Sequence, residues 1–159
     1  MQPAPAASRP SAPPRPQARP VVIHHPAKRE PVTVRATAKT VTVTTPHGKT
    51  MYSRAPAASE ADVGAPIYPG ARVQQSVSST EVTKGTTHTT LLTTPDPLDK
   101  VFRFYTEALG PQARSFRTGS GSKEAAVVSL QQGEGVTTVA IHPDTKGTGS
   151  RIMVVRSPR

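Results

Sequence analysis

The side chains best equipped for chemistry are five histidines, His24, His25, His47, His88 and His142. His24 and His25 with His47 form the one set that could ligate zinc, which needs several imidazole or carboxylate ligands converging on one point. None of the five stands four residues from another, so no helix presents two on one face. Adjacent imidazoles in an irregular segment make a poorly preorganised metal site, and solvated side chains are the simpler reading. Cysteine is absent, which removes disulfides, thiolate zinc sites and cysteine nucleophiles. Ser120-Gly121-Ser122-Lys123 spells S-x-x-K, but that nucleophile and base pair belongs at a helix start, whereas here it sits in a Gly-Ser loop and reads as a turn. Gly119-Ser120-Gly121 and Gly147-Thr148-Gly149 lack the strand-to-helix setting that cradles a phosphate. Asp96 and Asp99 look like a carboxylate pair for acid-base work, yet helix capping accounts for both. No catalytic, cofactor-binding or metal-ligating residue is therefore expected, and no cofactor.

The elements behind these residues divide the chain. It has 159 residues, 18 of them proline, with 34% hydrophobic and 4% aromatic side chains. Lys and Arg number 20 against 10 Asp and Glu, and residues 1–54 hold nine of the bases and one of the acids. Most of the net +10 thus sits in the first third. Such a segment attracts phosphates, anionic lipid or an acidic protein surface without sequence selectivity. Residues 1–31 carry nine prolines and few apolar side chains, too few to offset the entropy of ordering them. A disordered Pro/Arg-rich tail is expected there. Within it Pro10-Ser11-Ala12-Pro13-Pro14-Arg15 fits the P-x-x-P-x-R pattern accepted by aromatic grooves, a pattern that Pro-rich tails also match by chance. No apolar run approaches the ~20 residues that cross a bilayer. The start lacks a secretory apolar core. The chain is expected either to stay in the cytoplasm, or to reach a bacterial envelope or periplasm after loss of an export segment.

Residues 32–53 alternate Val and Thr around a turn at Pro46-His47-Gly48, reading as a β-hairpin or as strands lent to a larger sheet. Residues 54–61 read as a linker and residues 62–157 as the folded domain. Ile67-Tyr68-Pro69-Gly70-Ala71 is a turn with an aromatic beside it. Short strand patterns with Gly-rich gaps follow, interrupted by one strongly marked helix. Asp96 is the expected N-cap, Pro97 the first helical residue and Asp99 the partner completing a capping box. Gly110 permits a left-handed stop and Pro111 prevents continuation. Leu98, Val101, Phe102, Tyr105, Ala108 and Leu109 fall on one helical face, with Lys100, Arg103 and Glu107 opposite. Phe104 is out of phase, either folding over the core's edge or exposed as a contact residue. The fold class expected is α+β, a mainly antiparallel sheet with one helix on one face. Val139 and Ile141 alternate with Thr138 and Ala140, so the second face is expected to be Thr-rich and open to water or a partner.

Residues 41–156 resemble a small, uncharacterised bacterial α+β domain often found in envelope-associated proteins. The residues carrying the resemblance are Thr44-Thr45-Pro46-His47-Gly48-Lys49, Ile67-Tyr68-Pro69-Gly70-Ala71, the stretch T-T-P-D-P-L-D-K-V-F-R-F-Y from Thr93 to Tyr105 with Leu109-Gly110, and the closing Ile152-Met153-Val154-Val155. The resemblance implies the α+β fold and a bacterial source; it carries no activity and no functional residue. The functional expectation is a non-enzymatic binding or structural interaction module. The alternative is non-specific nucleic-acid or anionic-surface binding through the basic tail. With few aromatics to stack on bases, no sequence-specific nucleic-acid recognition is expected.

Overall fold

The computed structural model describes residues 21–24, 31–54, 59–145 and 147–158. They form one antiparallel sheet of ten strands with a twelve-residue helix on it. In chain order the strands are β1 (Val21–His24), β2 (Pro31–Ala36), β3 (Thr40–Thr45), β4 (Gly48–Arg54), β5 (Arg72–Glu81) and β6 (Gly85–Thr94). After the helix come β7 (Arg114–Thr118), β8 (Ala125–Gln132), β9 (Gly135–Pro143) and β10 (Ser150–Pro158). The helices are a single turn, α1 (Glu60–Val63), and α2 (Leu98–Leu109). Strand order across the sheet is β1-β2-β3-β4-β5-β6-β10-β9-β8-β7. The first six strands meander to β6. Helix α2 then carries the chain over β9 and β8 to the far edge, and β7–β10 meander back until β10 pairs with β6.

That crossover sets the core. Leu98, Val101 and Tyr105 of α2 pack on Ala126, Val128, Val139, Ile141, Ile152, Val154 and Leu92, and most of these residues have no exposure at all. Phe102 and Leu109 are only partly buried, and Ala108, expected in the stripe, faces solvent. The cluster lies under the first half of the helix, so a small side chain in its last turn gains no cover. Phe104 folds over the core's edge, meeting the rings of Tyr68 and Tyr105 edge-on at 5.1 Å each.

The helix start differs from expectation. Pro97 occupies the cap position and no side chain caps the helix. The Asp96 carboxylate instead accepts a 2.7 Å bond from the Tyr68 hydroxyl and pairs with Lys100 at 3.0 Å. Asp99 pairs with Arg117 of β7 at 2.7 Å. A buried tyrosine hydroxyl needs an acceptor, and the Tyr68-Pro69-Gly70-Ala71 turn delivers it to Asp96 before that carboxylate can reach the helix amides. Gly110 ends α2 at φ 77°, ψ −173°, a conformation open to glycine but extended and not the left-handed helical stop expected.

Three other expectations change. The Val/Thr segment is three strands, because Thr37-Ala38-Lys39 makes a second turn, and β4 pairs with β5, so these strands extend the main sheet. Val21–His24, expected within the disordered tail, pair with β2. The remainder of that tail, with Pro10–Arg15 and His25, lies outside the described residues. The expected linker, residues 54–61, ends inside α1, and its residues 55–58 lie outside the described residues: Ser59 and Asp62 form a reciprocal capping box, and Gly64 closes the turn at φ 78°. The boundary expected at Asp62 thus falls inside a helix. A Cβ on Gly64 would lie 2.5 Å from Cδ of Arg156, so glycine lets β10 approach α1.

Candidate interaction face

Residues directly opposite one another in an antiparallel ladder share a face, and alternate residues along a strand switch faces. Ile152 stands opposite both Leu92 and Ile141, and Ile141 opposite Ala126, which fixes the face beneath α2. The neighbouring register, on the other face, reads Leu91, Met153, Ala140, Val127 and Phe116 across β6, β10, β9, β8 and β7. These five apolar side chains in one row have neither α1 nor α2 over them. Phe116 is 59% and Met153 38% exposed, Leu91 and Val127 are half-buried, and only Ala140 is closed off by its neighbours. The next row adds Val155, Val77 and an exposed Tyr52.

The expected open face therefore exists, but its middle is apolar and not threonine-rich. Threonine and serine lie beside it: Ser129 and Thr138 are within 3.2 Å of each other. A signal for this was present. Strands apolar on both sides read as unbroken hydrophobic runs, and Ile152-Met153-Val154-Val155 and Ala125-Ala126-Val127-Val128 are such runs. Phe116 gave none, lying in a segment of otherwise polar residues.

Arginines border the apolar row. Arg151 and Arg114 share its face on β10 and β7, with Arg72 and Arg54 on β5 and β4, and all four are exposed. Strands β6 to β10 contain no Asp or Glu. Asp144, in the β9–β10 loop, stands 4.0 Å from Arg151. The face can thus bury apolar surface while offering guanidinium groups, Arg114 above all, to carboxylates at the margin.

On the helix side, a cleft of about 760 Å³ beside α1 is lined by Glu60, His88, Glu134 and Arg156 among others. Three of its polar side chains hold the fold together. Glu60 Oε1 accepts from the Ile67 amide at 3.2 Å, Arg156 donates to the Ala61 carbonyl at 2.8 Å, and Thr137 donates to the Gly64 carbonyl at 3.2 Å. The Tyr68–Asp96–Lys100 chain is likewise an anchor. Burial, and then the bond to Asp96, push the Tyr68 hydroxyl up to about 12, so at neutral pH it is a donor and not a base. The same bond, and then Lys100, hold the Asp96 carboxyl below its usual range. Burial pushes Tyr105 up to about 12 as well; its hydroxyl lies near the Tyr68 backbone but makes no hydrogen bond of proper geometry.

The residues considered for chemistry are not brought together. His24 is in β1, His47 in the β3–β4 turn, His88 on the helix face and His142 on the open face of β9. Among the described residues no three His, Asp or Glu side chains converge as a metal site would need. Ser120 and Lys123 are exposed in the β7–β8 loop, which contains a 3-10 turn, and Gly147-Thr148-Gly149 lie in the β9–β10 loop. Among the described residues no helix is long and apolar enough to cross a membrane. No protein-family model matches the chain, and searches of curated proteins and of solved structures give no match either.

Proposed function

We propose that this protein is a non-enzymatic interaction module that holds a partner through the open face of its sheet. The observation that carries this reading is the row Leu91, Met153, Ala140, Val127 and Phe116, apolar and without a helix over it. Contiguous apolar surface rimmed by polar groups is where soluble domains meet partners. In the α1 cleft Glu60, Arg156 and Thr137 are engaged in holding the fold, which favours the sheet face as the contact surface. The resemblance noted above suggests a bacterial envelope as the setting.

A photo-crosslinking residue at position 116 of the full chain, compared with one at position 107 on the outer side of α2, tests the reading in the cells that make the protein. Adducts are expected from position 116 and not from 107. Equal or absent labelling at 116 would sink it.

A second reading rests on the charge asymmetry: non-specific nucleic-acid or anionic-surface binding by the basic N-terminal third. Its mark is steep salt dependence, the logarithm of DNA affinity falling linearly with the logarithm of salt. Failure to bind DNA at low salt removes it.

A further inference from the structure

We infer that the open face takes an amphipathic helix from a partner protein, with an apolar stripe flanked by carboxylates; this rests on the interaction reading above and names the chemistry of the occupant. A sheet face in a layered domain is closed by a helix or by a second sheet. Charge decides between them. A second copy of this chain laid face to face would bring Arg114 against like charge, on strands that supply no carboxylate in return, while the Asp144 carboxylate already stands 4.0 Å from Arg151. The chain's own residues 1–20 bring Arg9, Arg15 and Arg19 and no acid, so they are equally mismatched.

The covered face shows how a helix with a carboxylate at its margin is held on these same strands. Helix α2 lays Leu98, Val101 and Tyr105 on β8 and β9 and sets Asp99 against Arg117 of β7 at 2.7 Å. Three residues away on the same strand, Arg114 points to the opposite face, beside Phe116. Five strands at about 4.8 Å spacing make a row roughly 19 Å long, which a helix of about 13 residues spans. Each side of the sheet thus offers an apolar floor with an arginine at the β7 margin, and among the described residues only one side has its helix.

The test uses the full chain and a synthetic fourteen-residue peptide with leucines at helical stripe spacing and glutamates on both flanks. A second peptide has lysine at every glutamate position. The glutamate peptide is expected to bind and to shift the amide resonances of Leu91, Met153 and Phe116. The double variant Arg114→Glu/Arg151→Glu should weaken binding at least tenfold, while Arg103→Glu, on the outer side of α2, changes it less than twofold. Equal binding of the lysine peptide, no binding of either, or indifference to the double variant overturns the proposal. So does binding of phosphatidylglycerol vesicles without the peptide, which points to a membrane, or self-association abolished by Met153→Asp, which points to a second copy. Adducts at position 116 together with failure of the peptide would leave the interaction reading standing and remove this one.

Discussion

The two faces of strands β6 to β10 are built from alternate residues of the same short sequences, yet they differ in how apolar surface is treated. Under α2, Leu92, Ile152, Ile141 and Ala126 are completely buried. One residue along each strand, Leu91, Met153 and Val127 keep part of their surface in water, with arginines around them, of which Arg151 stands 4.0 Å from the Asp144 carboxylate. Apolar side chains fill both faces, so composition does not distinguish them; the helix does. A face whose cover is covalently attached contributes to folding. On the interaction reading proposed above, a face that meets its cover later contributes to recognition.

The sharpest way to break this comparison is to truncate neighbours. Leu92→Ala should cost about 3 kcal/mol, because a fully packed site cannot collapse around the cavity, and Leu91→Ala less than about 1 kcal/mol. Urea unfolding of both variants measures the difference. Equal losses would mean that the open face is already covered in solution.

Alkaline titration probes the helix side. An unfolded tyrosine ionises near pH 10. Tyr68 and Tyr105 are both pushed up to about 12 in the fold. A folded-state value above the unfolded one means stability is fully present below pH 10 and is lost as pH rises from 10 to 12. Tyr105 alone should account for a loss on the order of 2 kcal/mol. Tyr105→Phe should remove that share. At neutral pH the same change should leave stability within about 1 kcal/mol, since the lost hydroxyl had no proper hydrogen bond to forfeit. A sharp drop at neutral pH would show that Tyr105 has a partner after all.

A smaller effect is expected at the acid end. The Asp96 carboxyl is lowered chiefly by the Tyr68 bond and then by Lys100, and Asp62 by its bonds with Ser59. Both contributions are present above about pH 3.9, the usual unfolded value, and fade as pH falls through the folded-state values. Tyr68→Phe should therefore lower the melting temperature at neutral pH and shrink its decline on acidification. An unchanged acid profile would show that the Tyr68–Asp96 bond does not persist in solution.

The helix and the sheet behind it were legible because their signals are local. The spacing of Leu98, Val101 and Tyr105 and the Gly110-Pro111 stop need no knowledge of the rest of the chain. The expected Asp96 cap failed because its competitor, Tyr68, lies 28 residues away in sequence and only the turn at Pro69-Gly70 brings it near. Helix α1 was missed for its length: four residues give no periodicity, and its local signs are only the capping box Ser59–Asp62 and the closing Gly64. On the open face, the run Ile152-Met153-Val154-Val155 announces two-sided burial, but the row it belongs to depends on register across five strands. No single strand's sequence shows that Phe116, Val127 and Met153 are neighbours.

The smallest expected effect on stability belongs to the most exposed of those residues. Phe116 lies on β7, an edge strand whose five residues are all exposed. Unpaired edges invite other chains, and charged side chains are the usual protection. Here Arg114 and Arg117 lie near the phenylalanine along the strand. Truncating so exposed a ring leaves little cavity, so Phe116→Ser should change stability by about 0.5 kcal/mol or less. Its effect on peptide capture should be far larger, at least tenfold, because a ring at the end of the row closes one side of the floor. A substitution neutral for folding and costly for capture separates the two faces more cleanly than any core change, since Leu92→Ala disturbs both. If Phe116→Ser instead unfolds the protein, the edge has a structural neighbour and the open face is shorter than the row implies.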